Sequence, residues 1–247
     1  MDEQIKHGIE YLRNRFKAKK FIIYFQAYTS TYGEAAELER LYRESLKYDG
    51  VVGLAVGTRS DCIDEEKLDI FERLARDYYV TIEYGIESIH DKTLEFMNRG
   101  HDYHNVVEAI NLTRDRGVHI GSHIILGMPT ESSEEMMAMA DEVSGLGIDT
   151  FKIHNLHIVR NTPLARIYRE QPFHLFSFDE YKDFLIRFLE RLNPGIMIER
   201  LFTDTPRQLL IAPDWNMRHN EILYDIKKTM EERDTFQGRL YEKVRYK

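Results

Sequence analysis

Apolar and polar positions along this chain follow two alternating periods. Ile5, Ile9, Leu12 and Phe16 recur at helical spacing among charges, predicting an amphipathic helix within residues 1–19, and Phe21–Phe25 is a β-branched and aromatic run of strand character. Leu38, Leu41, Tyr42 and Leu46 restore the helical period, Val51–Gly57 reads as a strand, and Asp64 is placed to N-cap a helix to about Asp77. A strand over Tyr79–Gly85 and one helical stretch over Asp91–Arg116 follow, with Gly117 as its C′ residue, and Val118–Leu126 is the next strand. Ser132 and Glu135 form a capping box for a helix running to Gly145–Gly147, before a strand at Thr150–Leu156. Ser177 and Glu180 form a second box, for the helix carrying Tyr181, Phe184, Leu185, Phe188 and Leu189, and Ile196–Ile198 reads as a short strand. Strand and helix alternate without a hairpin. That predicts an α/β fold with a parallel sheet and right-handed crossovers, either open or curled into a barrel.

Side chains point alternately to the two sides of a strand, so each strand can be split into faces. Val52, Leu54 and Val56 oppose Gly53, Ala55 and Gly57; Val80, Ile82, Tyr84 and Ile86 oppose Thr81, Glu83, Gly85 and Glu87. Val118, Ile120, Ile124 and Leu126 oppose His119, Gly121, His123, Ile125 and Gly127. One face suits a cover of helices, and the other is small or polar. Since α/β sites lie at the carboxyl ends of parallel strands, Gln26, Arg59, Glu87 and His123 are expected to converge on one rim around a polar ligand. The competing explanation is that the glycines mark bulges or close packing and the carboxylates pair with the arginines.

Composition narrows the chemistry. The 247 residues are 43% hydrophobic, enough for one core, and no apolar run approaches the length of a membrane span, so a single soluble, cytoplasmic domain is expected. A net charge of −8 argues against extensive nucleic-acid contact, and the basic C-terminal tail, Arg239 through Lys247, reads as a solvated end. Cys62 stands alone, which excludes an internal disulfide and every multi-cysteine metal site. Ten histidines are present, yet no metal site is predicted: His154 and His157 differ by three on a strand and face apart, and His101 and His104 lack a third ligand. Asn155 and His157 share a face, making His157 a substrate-side candidate, and Arg160 with Thr162 could meet an anionic group or simply hold a turn.

The strings Glu83-Tyr84-Gly85-Ile86-Glu87-Ser88, His90-Asp91-Lys92-Thr93-Leu94 and Asn98-Arg99-Gly100-His101-Asp102 resemble the fourth-strand region of radical S-adenosylmethionine (SAM) barrels, in the branch of coproporphyrinogen oxidase and the Elongator catalytic subunit. Ile124-Ile125-Leu126-Gly127-Met128-Pro129-Thr130-Glu131 resembles that branch's fifth-strand turn. With Gly57-Thr58-Arg59-Ser60-Asp61, Leu156 to Leu164, Asp204-Thr205-Pro206-Arg207 and Ala212-Pro213-Asp214-Trp215-Asn216, the resemblance narrows to uncharacterised bacterial radical SAM proteins of the YhcC type and covers nearly the whole chain.

The resemblance implies an incomplete (βα)6-type radical SAM barrel over about residues 1–200, with a helical extension over about 201–247. It implies SAM as cofactor, with Glu87 and Arg99 at its ribose and carboxylate, His123 lining the adenosine site, and Gly127 and Pro129 shaping the turn near adenine. Glu87 replaces the branch's Gln, and Gln26 and Ala27 stand where many members have a Gly-Gly-Glu turn. A [4Fe–4S] cluster and a reductant such as flavodoxin or ferredoxin are also implied. The cluster's CxxxCxxC loop is not in this sequence, and Cys62 supplies one thiolate where three are required. Three readings follow: a piece of a radical SAM enzyme whose cluster loop lies upstream of Met1, a cluster-free paralogue that binds a nucleotide or a partner, or an ordinary α/β enzyme using Glu83, Glu87 and His123. The first is preferred.

Overall fold

A computed structural model describes residues 1–26 and 29–242; Ala27, Tyr28 and residues 243–247 lie outside that description. The chain runs α1 (Asp2–Phe16), β1 (Phe21–Phe25), α2 (Ala35–Ser45), β2 (Val51–Thr58), α3 (Glu65–Ala75), β3 (Tyr79–Glu87), α4 (Asp91–Phe96), α5 (Tyr103–Thr113) and β4 (His119–Leu126). It continues through α6 (Ser133–Gly145), β5 (Thr150–Asn155), β6 (Ile158–Val159), α7 (Pro163–Glu170), α8 (Phe178–Arg191), β7 (Met197–Arg200), β8 (Leu210–Ala212) and α9 (His219–Glu232). Six strands share one sheet in the order β1-β2-β3-β4-β5-β7, and the pairs β1/β2, β2/β3 and β5/β7 are parallel. Among the described residues no helix is long and apolar enough to cross a membrane.

The stretch Asp91–Arg116 is two helices rather than one. After α4 the chain turns through Asn98 (φ 55°) and Gly100 (φ 79°), left-handed conformations that no helix continues through, and Asp102 restarts helix with a capping box to Asn105. Alternation also fails beyond β5. Two short strands, β6 and β8, pair antiparallel in a separate small sheet, and α7 begins at Pro163 behind the N-cap Thr162. Segments of two and three residues are too short to leave a period in the sequence.

The chain forms two compact units, and neither is continuous in sequence: Met1–Ile86 with His101–Ser122, and Glu87–Gly100 with His123–Lys247. In the first, Leu54, Val56, Val80, Ile82 and Tyr84 of the strands and Tyr42, Leu68, Phe71 and Ile110 of the helices are fully buried or nearly so. The ring of Tyr42 lies 5.2 Å from that of Phe71 and 5.3 Å from that of Phe25, and its hydroxyl donates to Ser30 O. Each such ring contributes roughly 1.5–3 kcal/mol by burial. Gly53 serves the backbone of this unit: a Cβ there would lie 2.5 Å from the Tyr79 carbonyl oxygen, beside a register shift between β1 and β2. At this position the glycine marks an irregular close approach and does not signal an open cavity.

In the second unit Phe151, Ile153, Met139, Val143, Phe188 and Leu189 form the core. Met128, Leu156, Ile158 and Ala165 make a satellite cluster beneath α7. Trp215 donates to Phe176 O and packs 5.2 Å from the Tyr181 ring. The tail expected to be a solvated end is tied down at its start, and so is the chain just before it. Arg239 pairs with the buried Glu190 at 2.8 Å, Gln237 donates to Asn193 O and Ile196 O, and Leu240 N donates to Glu190 O.

Candidate ligand site in the second unit

Glu87 closes β3 in a left-handed conformation (φ 60°) and is only 8% exposed. A carboxylate buried this far is costly to ionise unless it is paired. Burial opposes the charge, but the imidazole of His123 and the guanidinium of Arg99 outweigh it and bring the carboxyl down to about 2. His123 Nε2 donates to Glu87 Oε1 at 3.1 Å, and an Arg99 nitrogen stands 3.4 Å from the same oxygen.

Local chain geometry explains how Arg99 reaches it. Asn98 N–H bonds Glu95 O and Arg99 N–H bonds Leu94 O, both at 2.9 Å, which is the Schellman pattern with Asn98 at the left-handed C′ position. That turn sends the chain back and places Arg99 beside the end of β3. The turns after β3 and β4 are braced together. Ser88 donates to Glu131 at 2.5 Å, the hydroxyls of Thr93 and Thr130 are 2.8 Å apart, and Lys92 pairs with Glu135 at 2.5 Å. Burial raises the Glu131 carboxyl, with the Ser88 hydrogen bond acting against it.

A second imidazole joins the cluster. The His123 and His154 rings meet edge to face with centroids 5.6 Å apart. His154 Nδ1 lies 3.1 Å from Thr203 Oγ1, and Thr203 is anchored twice to Asn155, its N–H bonding Oδ1 and its hydroxyl donating to the backbone O. Burial first, then the neighbouring His123 and Arg200, lower His154 to about 4.

The remaining candidates make contacts of their own. Arg59, in the first unit, is engaged by Asp61 through two bonds of 2.8 and 2.6 Å, and Gln26 is exposed just past β1. His157 Nδ1 lies 2.9 Å from Thr205 Oγ1, and burial lowers its pKa. Arg160 donates to Gln208 O and its backbone N–H to Leu209 O, so it holds the β6/β8 connection. Sequence reasoning weighed His154 only as a metal ligand, and left out Thr203 and the Ser88–Glu131 brace. Only for His154 was a signal available: alternation along β5 puts Lys152 and His154 on one face, opposite the buried Phe151, Ile153 and Asn155.

The donor set suits an organic ligand with hydroxyls and a charged end. Glu87 is ionised, and its Oε2 has no hydrogen-bond partner among the described residues. A carboxylate so held is an acceptor for paired hydroxyls, and a guanidinium beside it suits a carboxylate. An iron–sulfur cluster does not fit the chain's own residues. Cys62 is the sole cysteine, burial raises its thiol pKa, and no group of three or more His, Cys, Asp or Glu among the described residues could hold a metal ion.

Fold and site together define an α/β protein whose strands deliver an ionised carboxylate and two imidazoles, and a helix-ending turn a guanidinium, to one polar cluster. Residues 2–143 match the Radical SAM superfamily and residues 148–232 match the Radical SAM C-terminal domain; the chain belongs to the radical SAM superfamily. An uncharacterised protein of Methanocaldococcus jannaschii is 38% identical over 240 residues, covering 96% of this chain and 74% of that protein. Protein YhcC of Escherichia coli K12 is 35% identical over 214 residues, covering 86% and 68%. The solved structure of archaeal Methanocaldococcus infernus Elp3 with an N-terminal deletion has the same fold: TM-score 0.80 at 19% identity over 95% of this chain, which spans 59% of that one.

Proposed function

We propose that this chain forms the SAM-binding and substrate-facing part of a radical SAM enzyme, with Glu87 receiving the ribose hydroxyls and Arg99 the methionyl carboxylate. The observation that carries this reading is the buried, ionised Glu87 carboxylate shared by Arg99 and His123 in a chain of this superfamily. His123 orients Glu87 and lines the adenosine side, and the Gly127–Pro129 turn borders the adenine. Gln26 and Arg59 are further cofactor-side candidates, His157 and Arg160 substrate-side ones. The chemistry SAM supplies in this superfamily is a 5′-deoxyadenosyl radical, released with a reduced [4Fe–4S] cluster and an electron donor of the flavodoxin or ferredoxin kind. Since one cysteine cannot hold that cluster, the part derived for this chain is binding, orientation and exclusion of water.

S-adenosylhomocysteine titrated into the chain by calorimetry tests the reading without any cluster. Binding is expected, and Arg99→Ala should weaken it by roughly tenfold to a hundredfold, the worth of a hydrogen bond to a charged group. Unchanged affinity in that variant removes Arg99 from the site. Reductive cleavage is tested on a form of the protein that carries a CxxxCxxC loop, reconstituted anaerobically with iron and sulfide and assayed for 5′-deoxyadenosine with and without dithionite.

A further inference from the structure

His154 plays no part in the contacts assigned above, yet its protonation and orientation are fixed. Thr203 has one hydroxyl proton, and it is committed to the backbone carbonyl of Asn155, which can only accept. The Thr203 oxygen therefore accepts from His154, so Nδ1 carries a proton, and with the ring kept neutral by burial and by the neighbouring Arg200, Nε2 carries a lone pair. At His123 it is Nε2 that carries a proton. Its Nε2 faces an ionised carboxylate, which only accepts, so that nitrogen is protonated. Two imidazoles in edge-to-face contact thus offer different groups, a donor committed to Glu87 and an acceptor at His154 Nε2.

His154 Nε2 has no hydrogen-bond partner among the described residues and is not a sealed, unsatisfied buried atom. The charged and titratable groups around the ring are His123, Arg200, Glu87 and Lys152. Lys152 shares the His154 face of β5, and Arg200 is its register partner on β7. Lys152 is paired with Glu199 at 3.4 Å, so Arg200 is the cation that disfavours a cationic ligand at Nε2, and a lone pair offers an anion nothing. An uncharged donor is left.

We propose that His154 is a substrate-binding residue, positioned by Thr203, whose Nε2 accepts a hydrogen bond from an uncharged N–H or O–H group of the substrate. The assignment to the substrate rests on the reading of Glu87 and Arg99 as the SAM side; the tautomer does not.

Nitrogen-15 NMR of histidine-labelled protein tests it, with the His154 signals identified by their loss in His154→Gln. From about pH 5.5 to about pH 8, where a free imidazole titrates, His154 should keep a protonated Nδ1 and an unprotonated Nε2. Thr203→Ser should preserve that pattern and Thr203→Val should lose the fixed tautomer. Pyrazole, which has an N–H, should move the Nε2 resonance saturably to lower frequency, and 1-methylpyrazole, which has none, should not. A protonated Nε2, a charged ring at neutral pH, an equal response to both probes or a response to neither would overturn the proposal. Failure of S-adenosylhomocysteine to bind would sink the cofactor reading and leave the His154 pattern where it is, so the two failures are distinguishable.

Discussion

Glu87 and His154 respond to acid in separate windows, because burial acts on them with opposite support. His154 is held neutral with a folded pKa of about 4 against an ordinary 6.5. Protonation therefore favours the unfolded chain, so its contribution is complete above about pH 6.5 and is lost as pH falls toward 4. Glu87 is held ionised at about 2 against 4.5, so its contribution is complete above about pH 4.5 and fades on further acidification. A shift of that size is worth about 3 kcal/mol. Urea midpoints measured against pH should thus fall first between about pH 6.5 and 4, and His154→Gln should flatten that first decline alone. An unaltered profile in the variant would show that His154 titrates normally. None of this was visible in the sequence, which gives both residues at face positions of strands but not the neighbours that set their charge. His123 and Glu87 are 36 residues apart, and His154 and Thr203 are 49 apart.

Elements were legible wherever the controlling interaction is local. The boxes at Ser132–Glu135 and Ser177–Glu180 were read from residues three apart and the cap at Asp64 from its place before a helical period, and the hydrogen bonds are there. Asp102, which belongs to the same class of signal, was hidden because its partner at N3 is Asn105 in place of Glu or Gln. Asp102→Ala should cost about 1 kcal/mol in the urea denaturation midpoint energy, as lost N-caps do. The turn after β4 tests backbone geometry in the second unit. Gly127 has φ 97°, and a Cβ would lie 3.3 Å from the Phe176 ring, so Gly127→Ala combines left-handed strain with a tight contact. It should destabilise by roughly 1–2 kcal/mol and weaken S-adenosylhomocysteine binding if the turn borders adenine. A variant with wild-type stability would show that the turn relaxes freely.

Across the whole molecule, cysteine content gives the sharpest expectation: iron and sulfide added anaerobically to this chain should yield no iron–sulfur absorption, and Cys62→Ser should change nothing. A cluster spectrum lost on that substitution would refute it. The sequence by itself determined the α/β class, the strand and helix order through most of the chain, and the membership of the superfamily that residues 2–143 match. Those properties follow from side-chain periods, caps and turns, whose causes lie within a few residues. Tertiary structure alone decided that Glu87, Arg99 and His123 share one oxygen, that Arg59 turns to Asp61, and that Thr203 fixes the proton on His154. The physical reason is that pairing, desolvation and tautomer depend on neighbours brought together from strands and turns distant in sequence.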